Sequence, residues 1–165
     1  MRHMILGLST QTTKIEQTLD FLLEKKYPLQ EVSLIMKEQD DVAKTYFQKL
    51  GLIDDVIGSK EEIPTVAVLG VGNIYIGGPI AALLHVSGVD ESFDPENTVE
   101  GALTTGMVNA LMDIGVHEDI AKAYEEGLKA GSILIGVYAD SEKQEEELNK
   151  FMEEQKLTNL TYLSE

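Results

Sequence analysis

The amino-acid sequence predicts an α+β fold: a ferredoxin-like split βαβ sandwich with a long glycine-rich α/β insertion between its halves. Three observations lead there. Both ends of the chain read as strand, helix, strand. The middle, from Val66 to Val89, is apolar, rich in glycine and free of charged residues. The length of 165 residues, with 43% hydrophobic and 25% charged residues, fits one globular domain with its own core. The expected plan is a single domain over residues 1–165, with a core of residues 4–37 and 132–163 and an insertion of residues 40–131.

The elements follow from periodicity. Ile5 to Leu8 is a short apolar run closed by Ser9 and Thr10, a strand. Thr12 or Thr13 is the expected cap of a helix with Ile15, Leu19, Leu22 and Leu23 at helical spacing, ended by Pro28. Glu31 to Met36 alternates, Val32, Leu34 and Met36 on one face and Ser33 and Ile35 on the other, which marks a second strand. At the far end, Ser132 to Tyr138 is nearly continuously apolar, as in a strand covered on both faces. Ser141 with Gln144 is a capping-box pair opening a helix to about Gln155, with Leu148, Phe151 and Met152 as its apolar stripe. Leu160 to Leu163 closes the chain as a strand.

In the insertion, Asp40 or Asp41 would cap a short helix with Val42, Tyr46, Phe47 and Leu50 inward, stopped by Gly51. The uncharged stretch 66–89 has the length of a membrane span. Three features argue for a soluble reading. Gly70, Gly72, Gly77, Gly78 and Pro79 would leave backbone groups unsatisfied in lipid. The flanks are acidic (Glu61, Glu62, Asp90, Glu91), without a positive-inside anchor. Val66 and Val68, then Ile74 and Ile76, suit two strands around a Gly-Val-Gly-Asn turn. Pro79 then opens a buried helix from Ile80 to Val86. A second helix is expected from about Thr98 to Ile114, where Val99, Ala102, Leu103, Gly106, Met107, Ala110, Leu111 and Ile114 keep helical spacing. Its small residues, Ala102, Gly106 and Ala110, would form a flat face for a neighbour such as Ala81 and Ala82. A third helix spans His117 to Lys129, with Ile120, Tyr124 and Leu128 inward and Gly131 after it.

Charge and composition exclude several classes. With 29 acidic and 13 basic residues, the net charge is −16. Such a chain repels nucleic acid and anionic lipid, and Lys25 with Lys26 is its longest basic cluster, so no nucleic-acid partner is expected and membrane association is not favoured. Without cysteine there is no disulfide, thiolate metal site or cysteine nucleophile. The start Met1-Arg2-His3-Met4 is too short and polar for a signal peptide, and Met4 is an alternative start; a cytoplasmic location is expected.

Catalytic patterns are weak. Gly70-Val71-Gly72 followed by Gly77 lacks both the dinucleotide fingerprint and the lysine of a phosphate loop. His3, His85 and His117 share no ligand spacing; His85 reads as a core or pocket histidine and His117 as a boundary residue at a helix start. Asp90, Glu91, Asp94 and Glu96 form an acidic loop without the calcium-loop pattern. The chain has no nucleophile-elbow motif, and no cofactor is expected.

From Gly70 to Leu83 and from Gly101 to Val137 the chain resembles the bacterial general stress protein family of the heat-induced type. Gly70, Gly72, Gly78, Pro79, Ala81 and Ala82 match its glycine-proline-alanine middle. Leu111 to Val116 matches its small-residue helix end. Ala121, Tyr124, Glu125, Glu126, Gly127, Leu128, Gly131, Leu134 and Val137 match its most specific stretch. The resemblance implies a stress-associated protein with no assigned enzymatic activity and no agreed ligand. The chain departs in its polar segment Gly58–Glu62, its less apolar middle and its long acidic tail, which argues against membrane association. Two structural roles suggest themselves for the specific stretch: Gly127 permitting close contact, and Glu125 or Glu126 bonding amides of the glycine turns.

The leading expectation is a non-enzymatic, stress-associated module that self-associates, argued from the flat helix, the exposed sheet edge and the lack of a catalytic grouping. The alternative is a small-molecule sensor with a pocket between sheet and insertion, lined by Gly72, Asn73, Gly77, His85 and Tyr124. The weakest reading is a divalent-metal enzyme using the acidic residues.

Overall fold

The computed structural model describes residues 3–28, 31–37, 66–68, 70–84, 101–103 and 106–164. Seven strands form one sheet: β1 (His3–Ser9), β2 (Val32–Lys37), β3 (Val66–Val68), β4 (Gly72–Gly77), β5 (Gly101–Leu103), β6 (Ile133–Ala139) and β7 (Thr158–Ser164). Among the described residues five helices accompany them: α1 (Thr12–Glu24), α2 (Ile80–Leu83), α3 (Met107–Asp113), α4 (Glu118–Lys129) and α5 (Glu142–Glu154). The class is α+β. The strand order is β5-β3-β4-β2-β6-β1-β7, antiparallel throughout except for the parallel pair β3–β5.

The two chain ends lie side by side. Strands β2, β6, β1 and β7 are consecutive in the sheet, α1 joins β1 to β2, and α5 joins β6 to β7. The insertion contributes both to the sheet and to a layer upon it, since α3 and α4 pack on one face. Its strands β4, β3 and β5 extend the same sheet outward from β2.

Burial explains the unbroken apolar strands. Every residue of β6 is buried, and so is β1 from Met4 to Ser9, because helices cover both faces. On one face Ile5, Leu34, Ile135 and Val137 pack with Ile15, Leu19 and Leu22 of α1 and Leu148 and Met152 of α5. The rings of Phe21 and Phe151 stack between these helices, 3.9 Å apart at 10°. On the other face Leu6, Leu8, Ile35, Ile74 and Ile76 pack with Met107 and Leu111 of α3 and Tyr124 and Leu128 of α4. Alternation along each strand sends successive side chains to opposite cores.

Several expectations need correction. Residues 98–114 are not one helix. Gly101–Leu103 pairs in parallel with Val66–Val68, and Gly106, at φ +84°, caps a helix that begins only at Met107. Of the proposed flat face, Ala102 belongs to a strand and Gly106 to a cap, leaving Ala110 buried in α3. Neither Thr12 nor Thr13 caps α1; Gln11 holds that position without a side-chain bond, after a turn in which the Ser9 hydroxyl accepts the Gln11 N–H at 3.2 Å. Leu23 is 43% exposed rather than inward. The expected helix at residues 42–50 and the 104–105 junction lie outside the described residues, as do the side-chain positions of Ala81 and Ala82.

The other helix ends follow local chemistry. Ser141 caps α5, its Oγ accepting the Gln144 N–H at 3.2 Å, while Gln144 Oε1 accepts the Asp140 N–H at 2.9 Å. Ser141→Ala should therefore lower stability by about 1 kcal/mol, read as a shifted urea midpoint. After α4, Gly131 takes φ +96° and the Ser132 N–H closes on the Gly127 carbonyl at 2.8 Å. Lys26 and Lys156 play the same left-handed role after α1 and α5, at φ +58° and +59°.

Candidate functional site

The glycine-rich hairpin is built by backbone needs. The Val71 N–H donates to the Val68 carbonyl at 3.1 Å, closing a turn in which Gly70 takes φ +85°. Gly72 follows at φ +102°, and a methyl on either glycine would meet open space. Gly78 is different. It takes φ +94°, and an added Cβ would lie 2.3 Å from the Val32 carbonyl oxygen and 2.7 Å from Ser33 Cα. The chain crosses the backbone of β2 there, and the buried Ser33 hydroxyl accepts the Ile80 N–H of α2 at 3.1 Å. The Gly78-Pro79 pair thus serves close approach followed by a helix start.

Of the five sequence-derived pocket residues, the four that are described do not converge. Gly72 and Asn73 are adjacent and exposed at the start of β4. Gly77 is buried opposite Leu34, at the far end of that strand, about 17 Å along it. His85 lies outside the described residues, as do Asp90, Glu91, Asp94, Glu96 and the segment Gly58–Glu62. Tyr124 is fully buried against β1 and β7, and β4 lies three strand positions from β1, about 14 Å.

Tyr124 instead ties an irregularity of the sheet. Against β1, the register of β7 shifts so that Asn159 and Leu160 together oppose Gly7. Asn159 takes φ +54°, the signature of a bulge with a left-handed residue. Gly7 leaves room for it: an added Cβ would lie 2.9 Å from Leu160 Cδ2. A bulge leaves its extra residue outside the regular ladder pairing. The Tyr124 hydroxyl donates to the Asn159 carbonyl, with the Leu6 carbonyl also in reach at 3.4 Å. Gly127, one helical turn on, lets α4 approach β1, since an added Cβ would meet Leu8 Cδ2 at 2.4 Å. Glu125 and Glu126 do not reach the glycine turns; both pair with Lys129, at 3.3 and 3.5 Å.

Burial pushes the Tyr124 phenol from 10.0 up to about 12, against a smaller opposing effect of Thr161. Burial and then the Glu147 carboxylate push Tyr27 equally to about 12. Both native phenols hold protons that the unfolded chain releases. Their contribution to stability is whole below pH 10 and is lost as pH rises through about 12. Urea titrations at increasing pH should show the midpoint falling across that window, and less steeply in Tyr124→Phe.

Two shallow surface grooves flank α5. One, of about 330 Å³, is lined by His3, Glu142, Glu145, Glu146, Asn149 and Tyr162. In it His3 Nδ1 lies 2.7 Å from Glu145 Oε2, and the Tyr162 hydroxyl bonds Asn149 Oδ1. Burial first, then the charges of Glu153 and Glu145, raise the Tyr162 phenol. The other, of about 580 Å³, is lined by Lys25, Lys143, Glu146, Glu147 and Lys150, with Lys25 3.4 Å from Glu147. Sequence reasoning missed both: in the first, His3 and Tyr162 meet α5 only through the register of β1 with β7, and in the second, Lys25 meets Glu147 only once α1 and α5 pack on the same face. Among the described residues, no group of histidine, aspartate and glutamate side chains is placed to hold a metal ion, and no helix is long and apolar enough to cross a membrane. His117 stands before α4, exposed, its Nδ1 accepting the Asp119 N–H at 3.3 Å.

Strand β7 has a further property. It is an outer strand of the sheet, and among the described residues it pairs only with β1. Its seven residues, Thr158 to Ser164, include no charge and no proline, and Tyr162 is 46% exposed. No protein-family model, curated protein or solved structure matches the chain.

Proposed function

We propose that this chain is a non-enzymatic, stress-associated, cytoplasmic module that works by self-association, built on a ferredoxin-like split βαβ sheet. The order β2-β6-β1-β7, with α1 and α5 as its two crossovers, supports the fold reading. The resemblance of the Gly70–Leu83 and Gly101–Val137 segments to bacterial general stress proteins supports the stress association. The observation that carries self-association is the uncharged edge strand β7 with its exposed tyrosine. Natural sheets blunt such edges with lysine, proline or a covering segment, because open N–H and C=O groups recruit another strand. A flat face on α3 no longer supports the reading. The net charge of −16 speaks against nucleic acid as the partner.

The sensor alternative has less support, because its described lining residues, Gly72, Asn73, Gly77 and Tyr124, lie far apart across the sheet. Light scattering across a concentration series tests the main reading. A mass that climbs above 18.2 kDa with concentration is expected; a strict monomer throughout would sink it. Thermal-shift screening against nucleotides and metabolites tests the alternative, since a ligand of the native state raises its stability.

A further inference from the structure

We infer that the outer edge of β7, which among the described residues pairs only with β1, is the self-pairing interface, that its occupant is β7 of a second copy related by a two-fold axis at Tyr162, and that ionic strength controls the pairing. The inference rests on the self-association reading and names its surface.

The bulge at Asn159 and Leu160 disrupts only the first part of the edge. Beyond it the strand runs regularly, Thr161 opposite Leu6, Tyr162 opposite Ile5, Leu163 opposite Met4 and Ser164 opposite His3. Four residues therefore offer a straight edge. An antiparallel partner centred on Tyr162 sets the two Tyr162 rings opposite each other and sets each Thr161 opposite Leu163. Such an arrangement is isologous, the same patch on both copies, and closes at two. Aromatic and aliphatic cross-strand pairs of this kind stabilise a sheet, whereas like charges directly opposite destabilise it. The segment's lack of charge permits the self-match.

Electrostatics then sets the conditions. The groove with Glu142, Glu145 and Glu146 abuts Tyr162, so pairing brings two such acidic grooves to either side of the axis. Each chain also carries −16 overall. Screening reaches about 30 Å at 0.01 M salt but about 8 Å at 0.15 M, so repulsion opposes the pair in dilute buffer and fades in salt. Association should tighten as sodium chloride rises, opposite to a contact held by ion pairs. The short edge implies a weak pair, sensitive to both concentration and salt.

Sedimentation velocity of the full chain at low and high sodium chloride tests this. Wild type should shift from monomer toward dimer as salt rises. Tyr162→Lys, and independently Ser164→Lys, should raise the dissociation constant about tenfold or more by placing charge on the edge, while Tyr162→Phe should still dimerise. Circular dichroism confirms that each variant is folded; both positions are exposed, so the native sheet should persist. A salt-promoted wild-type dimer that both lysine variants leave intact overturns the interface and spares self-association. A wild-type monomer at every salt overturns both. A dimer that dissociates in salt, or an edge that pairs only with an added lysine-rich peptide, overturns the present assignment.

Discussion

Gly78→Ala should cost about 3–5 kcal/mol, adding strain of about 1–3 kcal/mol for a left-handed alanine to overpacking of similar size. The two penalties coincide because φ is +94° and the new Cβ would sit 2.3 Å from a backbone oxygen of β2. Backbone cannot swing aside as a leucine tip can. Relief would require β2 and β4 to part, and both are interior strands of the sheet. The Ser33 hydroxyl, 2.8 Å from the same Cβ, would also lose its bond to the Ile80 N–H. A domain of this kind has about 5–15 kcal/mol in total, so the variant should lose about 2 M from its urea midpoint or fail to fold. Gly70→Ala and Gly72→Ala are the controls. They share positive φ but meet nothing within 4 Å, so each should cost only about 1–2 kcal/mol. Equal effects at all three sites would show that the crossing over β2 relaxes freely, and the close-approach account of the Gly-Pro motif would fall.

That motif was readable as a turn but not as a crossing. The repeated glycines signal positive φ, and Pro79 signals a helix start, yet nothing local says that Val32 and Ser33 lie beneath. The elements that were legible are those whose cause is local or periodic: β1, α1, β2, the β3–β4 hairpin, the start of α2 at Ile80, α4, β6, α5 with its Ser141–Gln144 cap, and β7. The helix assigned to residues 98–114 failed for the opposite reason. Ala102 and Leu103 keep helical spacing with Gly106 and Ala110, but a three-residue strand has no period of its own. Its pairing with Val66–Val68, more than thirty residues away, outweighed that spacing. Gly106 then takes a φ that stops a helix from running through. Lys26 hid the end of α1, which comes at Glu24 ahead of the expected stop at Pro28, since a lysine in the left-handed region leaves no signal like Gly131. Of the four described pocket residues, only Gly72 and Asn73 were adjacent in sequence, and only they are adjacent in space. The acidic groove was invisible because His3 meets Glu145 across 142 residues.

Tyr124→Ala is the second large loss expected, about 3–5 kcal/mol for a fully buried aromatic. Tyr124→Phe separates the hydroxyl from the ring. It keeps the ring in the core it shares with Leu6, Leu134 and Leu163 but withdraws the donor from the Asn159 carbonyl. Leaving that group poorly satisfied should cost about 1–3 kcal/mol, toward the lower end because the Thr161 hydroxyl also reaches it, at 3.5 Å. Combining Tyr124→Phe with Thr161→Val should then cost more than the sum of the singles, since each hydroxyl backs up the other at one acceptor. Hydrogen exchange locates the effect. If the hydroxyl anchors the bulge, amides of β7 should exchange faster in Tyr124→Phe while those of β2 and β4 keep their protection. Uniform loss across the sheet would make Tyr124 a packing residue alone. Local loosening of β7 would mean that α4, through one phenol, sets how firmly the outer strand is held for pairing.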